Sequence, residues 1–460
     1  MGTRRFAMGC ALLAAFATAS SATADAADDR ARAQDDRIAK LERTVAVLAE
    51  ELERARIATA IPENEDAEML ARFGRAPGAS KVYDLAHGVS IGGYGEGFYR
   101  KLIDDDGDSK DRADLLRLVL YTGYKFTDDI IFNAEIEFEH ATTASTQSSS
   151  GGSVSVEFAQ LDFMWKDWAN IRAGLLLVPM GFINQVHEPP FYFGVNRPEV
   201  ERRIIPTTWR ENGAGLFGMV AEQVSYEAYV INGLNAAGFD PSGLRDGRQK
   251  GNRALAEDLA LVAKVEWFPL PELLVGGSIY YGKSGQNQNI DVSEGTGFDA
   301  YQVDIPQTPT TIWEVHAQYV NRSFYARSLF TMADIGDNTA LTAALAPVGL
   351  DGGTGDLKAG EAIGGEMLGV YGEVAYDVLP QLFPSTEKAL EPFFRFEYYD
   401  TQRDMPSGYS ANKSNEIEIY TVGVSYKPLP NVVIKADYRN RRAKSGELPD
   451  EFNMGVGFVF

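Results

Sequence analysis

The sequence predicts an all-β chain: a 16-stranded antiparallel transmembrane β-barrel preceded by a short coiled-coil helix. Three observations lead there. First, the final ten residues alternate, with Phe452, Met454, Val456, Phe458 and Phe460 apolar and Asn453, Gly455, Gly457 and Val459 between them. Period 2 over about ten residues is the rhythm of a strand that crosses an outer membrane with one face in lipid. An apolar strand at an open edge invites aggregation, so a closing partner is needed, and the first strand of the same chain is the natural one. Second, short turns such as Thr127-Asp128-Asp129 and Glu222-Gln223 alternate with long Gly-, Ser- and Asp-rich loops. Third, Tyr124, Phe126, Trp165, Trp168, Trp267, Phe268, Tyr376, Tyr426, Phe458 and Phe460 fall near the short-turn ends, as an interfacial girdle requires.

Taken in order, residues 1–24 read as a secretory signal peptide. Arg4 and Arg5 are followed by an apolar run from Phe6 to Phe16 and by the small-x-small site Ala22-Thr23-Ala24. Cys10, the one cysteine, lies inside that segment, so the exported chain is expected to fold without disulfides. Residues 28–57 carry Ile38, Leu41, Val45, Leu48, Leu52 and Ala55 at heptad spacing among charged residues. This predicts a periplasmic coiled-coil helix between protomers, with a solvated helix as the alternative. Residues 58–88, with Pro62, Gly74, Pro77 and Gly78, read as a linker.

The barrel is expected over 89–460, with strands at 89–103, 111–126, 130–141, 153–166, 170–179, 212–221, 224–232 and 257–268, then at 273–284, 311–320, 323–334, 363–377, 392–401, 416–427, 432–443 and 450–460. Splitting each strand by phase sends Phe132, Ala134, Ile136 and Phe138 to lipid and Asn133, Glu135, Glu137 and Glu139 inward. By the same rule Arg117, Arg172, Lys264, Arg327, Arg395, Lys435 and Arg439 line the pore. A charge facing lipid at mid-membrane would cost roughly 2–4 kcal/mol, which fixes the phase. Sixteen strands are expected to leave an aqueous lumen. The loop 180–211, with four prolines and many aromatics, is too apolar to stay in water and is expected to fold inward as a constriction. Its charged residues Arg197, Arg202, Arg203, Arg210, Glu199 and Glu201, with Glu211, are the candidate constriction set.

The net charge of −22 argues against nucleic acid as a partner. Four histidines offer little for catalysis: His87 precedes the barrel, His140 sits at the rim, His187 is in the long loop, and His316 lies beside Glu314 without a third ligand at useful spacing. No catalytic group, cofactor or metal is therefore expected.

The opening strand Ile91-Gly92-Gly93-Tyr94 and the loop from Arg197-Pro198 to Trp209-Arg210-Glu211-Asn212 carry a family resemblance, together with the N-terminal heptads and a terminal Phe. The chain resembles the phosphate-selective porin O and P family. That resemblance implies a homotrimeric channel in the bacterial outer membrane, with anions guided along arginines such as Arg117, Arg172 and Arg327. The inward carboxylates, the stripe Glu135, Glu137 and Glu139, and the run Asp104-Asp105-Asp106-Gly107-Asp108 depart from that pattern. The expected function is passive diffusion of small polar solutes, with anions such as phosphate as one option. A barrel that tethers the envelope, or an outer-membrane hydrolase, are the alternatives.

Overall fold

The computed structural model describes residues 73–460 except 104–109, 148, 293–300 and 347–352, together with Arg37 and Lys40. The signal peptide, most of the heptad stretch, about half of the linker and the acidic run at 104–108 lie outside the described residues. Arg37 and Lys40 are helical and exposed.

Sixteen strands close into one barrel. The first nine are β1 (Gly88–Ile103), β2 (Arg112–Thr127), β3 (Ile130–Glu139), β4 (Val154–Lys166), β5 (Ala169–Leu177), β6 (Arg210–Ala221), β7 (Val224–Asn232), β8 (Leu259–Leu270) and β9 (Leu273–Lys283). A separate hairpin, β10 (Asn289–Val292) and β11 (Tyr301–Asp304), sits within the next long loop and was not anticipated from sequence. The barrel resumes with β12 (Pro309–Asn321), β13 (Phe324–Ile335), β14 (Glu366–Tyr376), β15 (Ala389–Asp404), β16 (Glu416–Leu429), β17 (Val432–Ala443) and β18 (Asp450–Val459). Each barrel strand begins and ends within three residues of its predicted bounds.

The seam joins the two ends of the barrel domain. β1 and β18 pair antiparallel from Tyr94↔Val459 to Ile103↔Asp450. Phe460 N donates to Gly93 O at 2.9 Å, and Gly93 N donates back to Phe460 O at 3.0 Å. The terminal aromatic thus leaves no open edge, which is what an apolar outer face demands.

Outward positions are apolar and exposed, as at Val265, Ile279, Val315 and Val422, while their neighbours Lys264, Ser278, Glu314 and Thr421 are buried inside. Phe126, Trp165, Trp168, Trp267, Tyr376, Phe458 and Phe460 are exposed towards the short-turn end, and Lys166 Nζ lies 4.9 Å from the centre of the Trp165 ring. Ile279→Arg, which puts a charge into this outer face, is expected to cost about 2–4 kcal/mol in a bilayer. Urea unfolding in lipid vesicles checks it: no loss of stability would mean that this face does not meet lipid.

The interior holds more chain than the sequence implies. Within the expected linker, α1 (Pro77–Asp84) forms a helix packed against β1, β2 and β3. Ala79, Ser80, Lys81 and Val82 are buried there. After β5, residues 178–209 cross the barrel. The turn at Pro189–Phe191 touches β1, β17 and β18, and the short helix α2 (Glu199–Arg203) rests on β14 and β15. Above it, Leu234, Phe239, Leu244, Val303, Ile305 and α3 (Asn338–Leu345) join Ile204, Ile205 and Trp209 in one apolar cluster. The long loops therefore pack on the inserted segment instead of standing free.

Candidate functional site

Burial inside the barrel creates a requirement. Residues 178–209 form almost no regular structure, so their backbone N–H and C=O groups enter a dry interior without ladder partners, and each unpaired group is costly. The inward charges of the strands meet that requirement. Lys435 Nζ donates to Tyr192 O and Gly194 O, both at 2.8 Å, and lies 3.6 Å from the centre of the Tyr192 ring. Arg395 donates to Phe193 O at 3.0 Å and to Asn196 O at 2.9 Å. Lys264 Nζ reaches Gly181 O at 3.2 Å, and Arg327 reaches Phe191 O at 3.4 Å.

Carboxylates serve the loop's donors in the same way. Glu397 accepts from Glu199 N at 2.5 Å and Val200 N at 3.2 Å, and Asp437 accepts from Val195 N at 2.6 Å. Glu201, itself on the loop, turns back to accept from Ile183 N at 2.8 Å and from the Tyr371 hydroxyl at 2.7 Å. Glu188 accepts from Gly78 N at 3.1 Å, which ties the loop to α1.

Ion pairs on the wall complete the network. Arg172 grips Asp162 with two bonds of 2.8 and 2.9 Å, donates to Phe73 O at 2.9 Å and lies 4.3 Å from the Phe217 ring centre. Arg117 joins Glu96 at 2.9 Å and Glu137 at 3.2 Å. Arg327 meets Glu373 at 2.7 Å, and Arg395 meets Glu397 at 3.0 Å. Arg210, the first residue of β6, holds Glu157 at 2.8 Å. Glu135 faces His187 at 3.3 Å. Arg439 binds Glu451 at 2.7 Å and stands 3.5 Å from Glu199.

These side chains were expected to face water in an open lumen. The structure instead buries Arg172, Arg327, Arg395, Lys435, Arg439, Glu135, Glu137, Arg210 and Glu201. Lys264 is buried as well, and Arg117 and Arg197 are close to it, the guanidinium of Arg197 lying 5.9 Å from the Tyr192 ring centre. The reason is the inserted chain: α1 and residues 178–209 occupy the space that strand number alone would leave to solvent. Only Arg202 and Arg203, with side chains 48% and 31% exposed, remain accessible in the candidate constriction set. Glu199 lies between them; burial alone would raise its carboxyl, but Arg439, Arg202 and Arg203 hold it down to about 2.

The sequence matches no family model. An uncharacterized protein of Aquifex aeolicus (strain VF5) is 36% identical over 390 residues, covering 84% of this chain and 83% of that protein. The chain belongs to that protein's family. Among solved structures, the outer membrane channel DcaP of Acinetobacter baumannii is similar with a TM-score of 0.50 at 14% identity, over 81% of this chain and 97% of that one. Salmonella typhi OmpF in complex with daunomycin gives 0.49 at 12% identity, over 82% and 98% of the two chains. The likeness to DcaP establishes the fold of this family member as a porin-like outer-membrane barrel.

One accessible site follows from the same charges. At the long-loop end, a cavity of about 410 Å³ is lined by Arg100, Leu102, Lys110, Arg112, Arg441, Pro449 and Glu451. Glu451 is shared among Arg439 at 2.7 Å, Arg441 at 2.8 Å and Arg100 at 4.0 Å, and the cavity lining holds Arg100, Lys110, Arg112 and Arg441 against this one carboxylate. Pairing of β1 with β2 sets Arg112 opposite Arg100, which brings two of these cations together.

Proposed function

We propose that this chain is an outer-membrane porin: a channel for passive diffusion of small polar solutes, its long-loop mouth favouring anions such as phosphate. The single observation that carries the anion preference is the mouth cavity, where Arg100, Lys110, Arg112 and Arg441 surround one carboxylate, Glu451. Charges this close lie within one Debye length, about 8 Å at physiological salt, so they act on an entering ion together. Short turns face the periplasm in this arrangement, lipid surrounds the apolar outer face, and Arg202 and Arg203 continue the cationic surface inward.

Membership of the phosphate-selective porin O and P family, and assembly as a homotrimer, belong to the same proposal and rest on the sequence motifs. The arginine path would differ from the one the resemblance implies, because Arg172, Arg327 and Arg395 are occupied by carboxylates and loop carbonyls. No catalytic step is assigned: His140 pairs with Asp114, and His316 sits between Glu314 and Glu266, the Ser278 hydroxyl donating to Glu314 and not to the ring.

Reversal potentials across planar bilayers in a KCl gradient test the reading. Chloride is expected to permeate better than potassium, and replacing Arg202 and Arg203 together by alanine should roughly halve that preference. A barrel that passes no current, or one that favours potassium, would overturn it.

A further inference from the structure

A cluster deeper in the barrel is independent of the cationic mouth. Glu135 on β3, Glu157 on β4 and His187 on the inserted loop converge, all three buried, with one ligand atom from each lying within 4.8 Å of the others. We propose that these three side chains bind a divalent transition-metal ion of the zinc class, which fastens the inserted loop to the β3–β4 wall.

The distances suit coordination of one ion. His187 Nε2 is 3.3 Å from Glu135 Oε1 and 3.3 Å from Glu157 Oε2. Bonds of about 2.0–2.2 Å to a tetrahedral ion put its ligand atoms about 3.3–3.5 Å apart. A hydrogen bond between imidazolium and carboxylate would be shorter, about 2.7–2.9 Å.

The imidazole is also turned correctly. His187 Nδ1 lies 3.2 Å from Asn184 O, a carbonyl that accepts only from a protonated nitrogen. That contact orients the ring and directs Nε2 at the carboxylates, which is how a backbone carbonyl commonly positions a metal-ligating histidine. Arg210 donates to Glu157 Oε1 at 2.8 Å and leaves Oε2 turned to the centre.

A third observation points to a cation independently. Glu135 Oε2 and Glu157 Oε2 are buried and have no hydrogen-bond partner. A buried carboxylate oxygen that accepts no hydrogen bond is costly, and a divalent ion bound by these carboxylates removes that cost. The Tyr94 ring stands 5.9 Å from that of His187, and Tyr94, Tyr121 and Phe158 make the adjoining wall apolar. Such a wall favours a closed site loaded as the loop folds in.

The placement of Glu157 is what brings the set together. Pairing between β3 and β4 shifts between Glu135↔Phe158 and Ile136↔Val156, so Glu157 is the extra residue of a bulge. A bulge re-aims one side chain, and here it sets a second carboxylate beside Glu135.

The test uses the full chain purified in detergent, stripped with a chelator and titrated with zinc chloride by calorimetry, with elemental analysis of bound metal. One zinc ion per chain is expected. His187→Asn and Glu135→Asp should each weaken binding by about a hundredfold, Glu135→Asp doing so without any change of charge. His316→Asn, in the separate His–Glu cluster of β8 and β12, should leave binding intact. Circular dichroism of each variant establishes that the barrel has formed. No stoichiometric zinc on the wild-type chain, or equal affinity in His187→Asn, would overturn the site.

Discussion

Replacing Arg395 with alanine is expected to lower the free energy of unfolding by about 3–5 kcal/mol, the range for breaking a buried charged network from one side. Arg395 is fully buried and holds four groups at once: the carboxylates of Glu397 and Glu373, and the carbonyls of Phe193 and Asn196. Its removal would leave Glu397 and two loop carbonyls short of a donor in a dry interior. Arg327 still neutralises Glu373, which limits the damage on that side. Arg395→Lys retains the charge but not the planar fork that spans two carbonyls, so an intermediate loss is expected. Urea titrations in vesicles, compared through their midpoints and slopes, measure both. A change below about 1 kcal/mol for Arg395→Ala would mean that the loop is held by something other than the wall charges.

That prediction turns on a role for the inward charges that sequence could not reveal. Strand phase is a local property with period 2, so Arg395 and Glu397 could be placed inside from Phe394, Phe396 and Tyr398 alone. The closing seam was equally legible, because the apolar alternation from Phe452 to Phe460 marks a strand whose edge must be paired. What fills the barrel was not. Pro77–Asp84 is a short helix of ordinary composition between two glycine-containing turns, and nothing in PGASKVYD separates it from a linker. It becomes a helix because its backbone is buried against β1, β2 and β3 and must satisfy itself there. The loop's inward fold was legible from its prolines and aromatics, yet the partners of Lys435, 243 and 241 residues away at Tyr192 and Gly194, depend on tertiary geometry. Glu157 was missed for a different reason: a bulge breaks the alternation that identifies Glu135 and Glu137.

A chain lacking residues 73–87 is expected to pass several-fold more current per channel than the intact protein, because it removes a helix about 10 Å across from the bore. The wall behind it should survive. Arg172 loses Phe73 O and the Tyr83 hydroxyl but keeps its two bonds to Asp162 and its stacking on Phe217. Asn133 loses the carbonyl of Ala79, and Glu188 loses the N–H of Gly78, which frees the loop at Glu188. Its anchors on β14, β15 and β17 remain. A point substitution reaches the same end by another route. A Cβ at Gly78 would lie 2.8 Å from Glu188 Oε1 and 2.9 Å from Tyr121 Cε2, so Gly78→Leu must push α1 away from the wall. Single-channel recordings in planar bilayers decide the matter. If both variants conduct as the parent does, α1 stands outside the solute path, and the occlusion lies with residues 178–209 alone. If both conduct more, the segment that sequence reads as a linker is the part of the barrel that sets its permeability.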